Sequence, residues 1–360
     1  MAEATVTVPQ LCEYLGKEFR RICEHLEKIR RGEISRREIQ QEITKSAREP
    51  KEQLARLLLR KADRILEKYS ERSIDRFRSE ELQAEITCLR ARSGFMGADT
   101  AAKIAVRFVA DRWRDFILLQ LIELHCHDCN FVEAIRLTHW LAAGRQSLGW
   151  AAVVGASREK DEAIYDRACL EFHRVVFSSG EWRFKAYARA GELESLIKEI
   201  ETGSVFAGAD YARATIEALV SANYLVKARN MAKFIPECWP EVQFDAWLTI
   251  VRASRGFLLD HRNDLGTCRI AADHSKLNPF TKVNNWGRLA AVSRDKDDFA
   301  KCLTLSTEMS GYGGGLCYLA IAHAAMDEIK EARSLADSIV DPYWEAKALI
   351  GIAREVLTQK

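Results

Sequence analysis

Apolar residues recur along this chain at alternating spacings of four and three, the period that places them on one stripe of an α-helix. The first stripe consists of Leu15, Phe19, Ile22, Leu26 and Ile29. Further stripes predict a short helix that ends at Pro50, an amphipathic helix from Leu54 to Tyr69, and a helix from Leu82 to Leu89. Each stripe is too narrow to be buried alone, so we expect these helices to pack on one another or on a neighbouring domain.

The composition of the chain changes near residue 95. Residues 1–95 carry 21 Lys and Arg against 17 Asp and Glu, and all eight tryptophans lie at or after Trp113. Gly94 and Gly97 break the helical pattern at the changeover. We therefore predict two domains: a charged N-terminal helical segment, residues 1–95, and a second helical domain, residues 96–360.

The second domain contains a repeated unit of two helices. Residues 214–235 align with residues 318–339 without a gap, and both describe an apolar helix, a short polar turn and a second helix opened by a small residue, Ala228 or Ala332. Residues 289–309 and 117–141 give two further copies. A small residue at this place lets two helices approach closely, because no bulky side chain stands between them.

This unit of two helices, with a period of about 31–35 residues, resembles the tetratricopeptide-repeat superfamily. The resemblance covers roughly residues 106–360. The tyrosine, glycine and terminal proline usual in that family are mostly missing, and residues 241–276 carry a longer insertion. The resemblance implies an all-α fold, in which an α-solenoid of TPR-like helix pairs is preceded by the N-terminal helical segment.

The overall composition excludes several classes of protein. Lys and Arg number 54 against 52 Asp and Glu, which argues against a strongly basic nucleic-acid coat or an acidic tail. No unbroken apolar run approaches eighteen residues, so no transmembrane helix is predicted. Ten scattered cysteines and the lack of a secretory signal indicate a cytoplasmic protein with free thiols.

The sharpest cluster of metal-ligating residue types is the segment from His125 to Cys129. His125, Cys126 and Cys129 are plausible zinc ligands, and His139 follows on the next predicted helix. The segment also coincides with the turn between two repeat helices, and no second Cys-x-x-Cys pair exists in the chain. Buried thiols beside exposed imidazoles are the alternative that we favour, and we expect no metal and no cofactor.

Three other patterns have a structural and a functional interpretation. Cys169 and His173 have the helical spacing of a nucleophile and its base, but nothing nearby suggests an oxyanion hole. The glycines of residues 311–315 precede a helix without the sequel of a phosphate-binding loop. Trp113, Trp150 and Trp182 suit a repeat core better than a platform for stacking bases. We therefore expect no enzymatic activity.

Basic residues of the first two helices are candidate phosphate contacts. They are interleaved with glutamates at helical spacing, which is typical of a solvated face with ion pairs. The candidates are Arg20, Arg21, Arg30, Arg31, Arg36 and Arg37.

The resemblance implies that the first helix of each repeat lines a concave groove suited to a protein or peptide. The implied groove positions are Glu123, His127, Asp210, Arg213, Glu217, Asn284 and Arg294. The first hypothesis is therefore a non-enzymatic adaptor or scaffold that binds a protein or peptide partner. The alternative is a nucleic-acid-associated regulatory protein that contacts phosphates through its basic N-terminal helices. A metal-dependent or cysteine enzyme has the least support.

Overall fold

The computed structural model describes residues 36–70, 76–108, 110–176, 182–201, 209–256, 258–309 and 313–358. Every regular element within these ranges is a helix, so the protein is all-α as predicted. The first amphipathic stripe, from Leu15 to Ile29, lies outside the described residues. None of the helices in the described ranges combines the length and apolar character needed to cross a lipid bilayer.

Eighteen α-helices lie in the described ranges, with two short 3-10 turns at Ala143–Arg145 and Ser254–Gly256. The first nine are α1 Arg36–Ser70, α2 Arg76–Arg92, α3 Ala98–Ala105, α4 Asp111–His127, α5 Phe131–Thr138, α6 Gln146–Ser157, α7 Glu162–Val176, α8 Trp182–Ala190 and α9 Leu193–Glu201. The other nine are α10 Ala209–Ser221, α11 Leu225–Lys233, α12 Pro240–Ala253, α13 Leu258–Ala272, α14 Pro279–Ser293, α15 Lys296–Glu308, α16 Gly313–Ala325, α17 Ile329–Ser338 and α18 Pro342–Thr358.

Helix α1 runs through Pro50, where the sequence pattern predicts a helix end. That prediction is wrong. Proline removes one backbone hydrogen bond and crowds the preceding turn. The helix nevertheless continues into a buried apolar stripe, whose burial offsets this cost. The stripe consists of Ala55, Leu58, Leu59, Ala62 and Leu66.

The chain divides into two compact units, Met1–Leu54 and Ala55–Lys360. The division lies well before residue 95, where the composition changes. The reason is that α2 (Arg76–Arg92) packs against α4 of the repeated region and against α18 near the end of the chain. Residues 55–95 are therefore part of the second unit, although their composition resembles that of the N-terminal segment.

The even-numbered helices of the second unit form a closed series. Helix α2 packs against α4, each later even helix packs against the next as far as α18, and α18 packs against α2. The odd-numbered helices pack on the even ones and make no extensive contact with each other in the described ranges. At the end of the described ranges, α18 contacts α16, α17 and α2.

Five of the even helices end in the same backbone motif. Gly94, Cys129, Gly191, Asn223 and Asp327 each adopt a positive φ, between 58° and 73°. In the last of these turns the amide of Asp327 donates to Ala324 O and the amide of Glu328 donates to His323 O. The other four turns repeat this pair of hydrogen bonds, which together with the left-handed residue forms a Schellman cap. Asn223 and Asp327 are aligned with each other in the ungapped sequence pair, so the backbone repeats where the sequence does.

Glycines allow the even helices to approach closely. A methyl group at Gly287 of α14 would collide with Cβ of Tyr318 on α16, and one at Gly351 of α18 would collide with Ile321 on α16. Gly313 and Gly315 lie in the first turn of α16, where added methyl groups would meet Trp344 and Ser306. The glycine-rich segment therefore supplies close helix packing, whereas Gly311 and Tyr312 lie outside the described residues.

Candidate functional site

Charged side chains connect successive even helices along the face that the odd helices leave uncovered. Arg213 of α10 lies 3.2 Å from Asp245 of α12, and Arg288 of α14 lies 2.7 Å from the same carboxylate. Lys185 of α8 pairs with Glu217 of α10. We call this surface the charged wall, and it consists of Glu85, Arg92, Glu123, Lys185, Arg189, Arg213, Glu217, Asp245, Arg288 and Arg354.

The wall also spans α6, a helix that carries no Asp, Glu, Lys or Arg. Arg189 of α8 reaches Glu123 of α4 at 2.6 Å, although α6 lies between these helices in the series. Helix α6 is built of small and apolar residues, and its Gly155 lies so close to the backbone oxygen of Arg189 that a methyl group would collide with it. The ion pair between Arg189 and Glu123 therefore crosses α6, which packs closely against α8.

Three of the seven predicted groove residues lie in the charged wall. Glu123, Arg213 and Glu217 each form an ion pair with another even helix. His127 lies instead at the exposed end of α4, where its Nδ1 is 3.1 Å from Asp128. Asn284 is half-buried in α14.

Two further predicted groove positions differ from these. Asp210 lies in α10, but its side chain is outside the described part of the structure. Arg294 is exposed beyond the end of α14, with a left-handed φ of 57°. Its amide donates to Ala290 O, so α14 ends in a different cap from the five helices with Schellman caps.

Sequence analysis missed the arginines that the closed series brings together. Arg252 lies in the last turn of α12, Arg255 in the following 3-10 turn, and Arg288 in α14. Arg354 comes from α18, which is separated from α12 in the series by α14 and α16. With Arg294, these residues form what we call the arginine cluster. No local motif could have identified it, because its members are spread over about one hundred residues.

The charges of neighbouring guanidinium groups act on Arg252. Burial, followed by the charges of Arg288, Arg255 and Arg354, lowers the pKa of Arg252, and Asp245 opposes the shift only in part. The side chain of Arg252 is exposed at the surface. Within the described residues it has no hydrogen bond and no ion pair.

Arg255 extends this positive region towards Arg294. Its guanidinium donates to Val292 O, and burial together with the charge of Arg294 lowers its pKa, while Glu355 acts in the opposite direction. Arg354 is 2.7 Å from Glu85 of α2. The carboxylates near the cluster are therefore Asp245, Glu85 and Glu355, and the first two are already engaged in ion pairs.

The candidate zinc ligands do not form a metal site in the structure. Cys126 is buried, and burial raises the pKa of its thiol to about 12. Cys129 is exposed in the turn after α4, and His125 lies one turn earlier in that helix. Within the described ranges, no group of three or more His, Cys, Asp or Glu residues could hold a metal ion. His139 packs edge-on against Trp150 instead, with ring centroids 5.4 Å apart.

The candidate nucleophile and base are not paired with each other. Nε2 of His173 lies 3.0 Å from Glu192, so its partner is a carboxylate of the next helix pair rather than Cys169. Elsewhere, burial raises the thiol pKa of five cysteines to about 12, which keeps them protonated and poorly nucleophilic at neutral pH. These are Cys88, Cys126, Cys268, Cys302 and Cys317.

The three tryptophans differ in their surroundings. Trp113 and Trp150 belong to the first of two apolar cores, at 7% and 1% exposure, and are therefore core residues. Trp182 is half-buried at the start of α8, with Arg145 and Lys185 over its ring.

The candidate phosphate contacts fall outside what the structure describes. Arg20, Arg21, Arg30 and Arg31 precede the described residues, and Arg36 and Arg37 lie in α1 with side chains that are not described. Comparison of the chain with family models, with curated proteins and with solved structures finds no match.

Proposed function

We propose that this protein is a non-enzymatic adaptor that binds a protein or peptide partner along the charged wall. The observation that carries the proposal is that seven of the nine even helices contribute charged side chains to the wall, and that aromatic rings lie beneath some of these side chains. Arg288 lies over Phe244, and Arg145 and Lys185 lie over Trp182. Arginine and aromatic residues are the types enriched where binding energy concentrates at protein interfaces.

The helical hairpins support a fold assignment within this proposal. Pairs of helices, recurrent left-handed caps and small residues at the crossings are the features of TPR-like repeats. We therefore propose that the chain is a TPR-like repeat protein whose first helices, the even ones, form the binding face. The closed series would distinguish it from an open solenoid.

The chemistry of the thiols and histidines supports a binding role over catalysis. Five thiols have their pKa raised to about 12 by burial, and His173 pairs with Glu192 rather than with Cys169. All eight cysteines of the described ranges are free, which supports the proposal of a cytoplasmic protein.

The test is affinity capture from a cytoplasmic extract at 150 mM salt, followed by mass spectrometry. The bait variant R213E/E217K reverses two charges of the wall, and the control R333E reverses an exposed charge on α17. We expect a stoichiometric protein partner that the wild type and R333E retain and that R213E/E217K loses.

Three results would contradict the proposed adaptor function. The first is that both variants capture the same partner equally, and the second is that no protein is captured at near-stoichiometric amounts. The third is capture of nucleic acid alone with a steep dependence on salt, which would favour the regulatory alternative through the basic N-terminal helices.

A further inference from the structure

A partly open cavity of about 220 Å³ lies in the second unit, between α1, α2 and the segment around α3. None of the residues that line it belongs to the charged wall. We propose that this cavity binds a small primary amine whose apolar body has the size of a single ring. The inference does not depend on the adaptor function, because the cavity and the wall have no residue in common.

The volume of the cavity sets the size of the ligand. An engineered protein cavity of about 150 Å³ holds one benzene molecule. The cavity beside α3, at about 220 Å³, therefore has room for one such ring with a short chain attached. Pockets that hold drug-sized ligands measure roughly 300–1,000 Å³, so the expected ligand is smaller than a nucleotide.

Apolar side chains line the cavity from all three helical segments. The turn after α2 fixes one of them, Met96, because the amides of Phe95 and Met96 both donate to Arg90 O, at 2.8 and 3.1 Å. Methionine adapts its shape to the group that it contacts, so these walls suit a ligand with an apolar body. The apolar lining residues are Leu66, Ile86, Met96, Ile104 and Phe108.

The charged lining residues favour a cation. Asp63 of α1 and Arg90 of α2 form an ion pair at 2.6 Å. Glu67 follows one turn later on α1 and is exposed. Arg90 balances one of these two carboxylates, so the lining carries a net negative charge. This charge attracts a cationic ligand and repels an anionic one.

The carboxylate of Asp63 can accept further hydrogen bonds. Burial raises its pKa, and the charge of Arg90 opposes that shift only in part. In the part of the chain that the structure describes, Arg90 is its only cationic partner, whereas an ionised carboxylate offers about four acceptor sites. A primary ammonium supplies both donors and a positive charge, and it would therefore stabilise the ionised form of Asp63.

Two polar residues of α2 offer further acceptors beside the ion pair. Gln83, Thr87 and Arg90 are four and three residues apart, so they lie on one face of the helix. Thr87 is 5% exposed, and its hydroxyl donates to Gln83 O at 2.8 Å, which leaves the hydroxyl oxygen able to accept. The amide nitrogen of Gln83 donates to Ser79 at 3.5 Å, and that bond does not involve the amide oxygen. These two oxygens and the Asp63 carboxylate match in number the three N–H donors of a primary ammonium.

Calorimetric titration of the full chain at pH 7 with three matched probes tests the inference. The probes are 2-phenylethylamine, 2-phenylethanol and 3-phenylpropionate, which share a phenyl ring on a short chain and differ in charge. We expect one molecule of the amine bound per chain, roughly ten- to hundredfold more tightly than the alcohol, because hydrogen bonds between charged groups are the stronger ones. The propionate should bind more weakly than the alcohol.

Variants place the amine in the cavity. D63N keeps the shape of the side chain but not its charge, so it should weaken amine binding at least about tenfold and alter alcohol binding less than about twofold. D99N changes an exposed carboxylate of α3 outside the cavity and is the matched control. I104W narrows the cavity without touching the ion pair and should weaken binding of the amine and of the alcohol. Circular dichroism verifies that each variant is folded, and I104W tests the site independently of D63N.

Three outcomes would overturn the inference. The first is that the amine does not bind. The second is that the alcohol or the propionate binds as tightly as the amine, which would show that the cavity does not select a cation. The third is that D99N weakens amine binding as much as D63N does, or that I104W leaves it unchanged, which would place the amine elsewhere on the protein.

Discussion

Arg354 in the last helix of the second unit lies 2.7 Å from Glu85 in α2, and this ion pair joins residues 269 positions apart in the sequence. Beside it, Lys347 of α18 lies 3.3 Å from Glu81 of α2. These contacts hold the two ends of the even series together.

An ion pair between arginine and aspartate recurs between successive odd-numbered helices, and its removal should lower the free energy of unfolding. Arg269 of α13 pairs through Nε with Asp298 of α15 at 2.6 Å, and Asp298 is 2% exposed. Arg229 of α11 pairs in the same way with Asp264 of α13. We expect R269M to lower the free energy of unfolding by about 2–3 kcal/mol, since it leaves a buried carboxylate without its cation.

Urea unfolding of a double-mutant cycle checks this ion pair. R269M/D298N should be less destabilised than the sum of the two single variants, because the second change removes the unpaired charge. R262M on the same helix is the control and should change stability by less than about 0.5 kcal/mol. Additive effects of R269M and D298N would show that the pair is not coupled.

The close approach of α14 and α16 gives a matched pair of glycine variants. G287A should destabilise the fold by about 1–3 kcal/mol, because the new methyl group collides with Cβ of Tyr318. G266A in α13 should be neutral or stabilising by up to about 1 kcal/mol, since nothing lies within 4 Å of its added methyl group and alanine favours the helix. Thermal melting of both variants measures the difference. Equal stability of G287A and G266A would contradict the packing of α14 on α16.

Asp295, which caps the start of α15, should make the stability of the fold depend on pH in a direction that its lowered pKa determines. The amide of Asp297 and the guanidinium of Arg269 hold the pKa of Asp295 below its usual value of 3.8. A carboxyl with a lowered pKa stabilises the folded state above pH 3.8, and this contribution disappears as the pH falls through the folded-state value. We expect D295N, which keeps the cap but lacks the charge, to be less stable than the wild type at pH 7 by about 0.5–1 kcal/mol.

Urea unfolding at pH 7, 5, 4 and 3 follows this difference. The difference in free energy of unfolding between the wild type and D295N should be constant from pH 7 to 5 and should become smaller below pH 4. A difference that is unchanged at pH 3 would show that the charge of Asp295 does not interact with Arg269.

The sequence predicts much of the local helical structure, but it does not predict the contact of α18 with α2 that closes the even series. Residues 214–235 and 318–339 align without a gap, and their turns carry left-handed Asn223 and Asp327 at the same place. Hydrophobic periodicity and short polar turns act within one repeat, so they can be read from one segment. Helix α1 differs from its prediction at Pro50, because the local cost of proline is outweighed by burial farther along the helix.

Residues of the charged wall could be predicted from the sequence only at positions that the sequence repeat defines. Glu123, Arg213 and Glu217 follow from the positions of first helices in the repeats, and all three lie in the charged wall. Arg354 has no such signal. It resembles an ordinary exposed arginine near the end of a helix, and only the contact between α18 and α2 brings it to Glu85.

Carbodiimide cross-linking of the wild-type protein, read by peptide mass spectrometry on the monomer band, tests the closed series most directly. This reagent joins an amine to a carboxylate that it already contacts. Lys347 of α18 lies 3.3 Å from Glu81 of α2. The pair of Lys185 and Glu217 within the wall serves as the positive control. The closed series predicts peptides that link Lys347 to Glu81, and their loss in K347R. Recovery of the link between Lys185 and Glu217 without any link between Lys347 and Glu81 would contradict the closure.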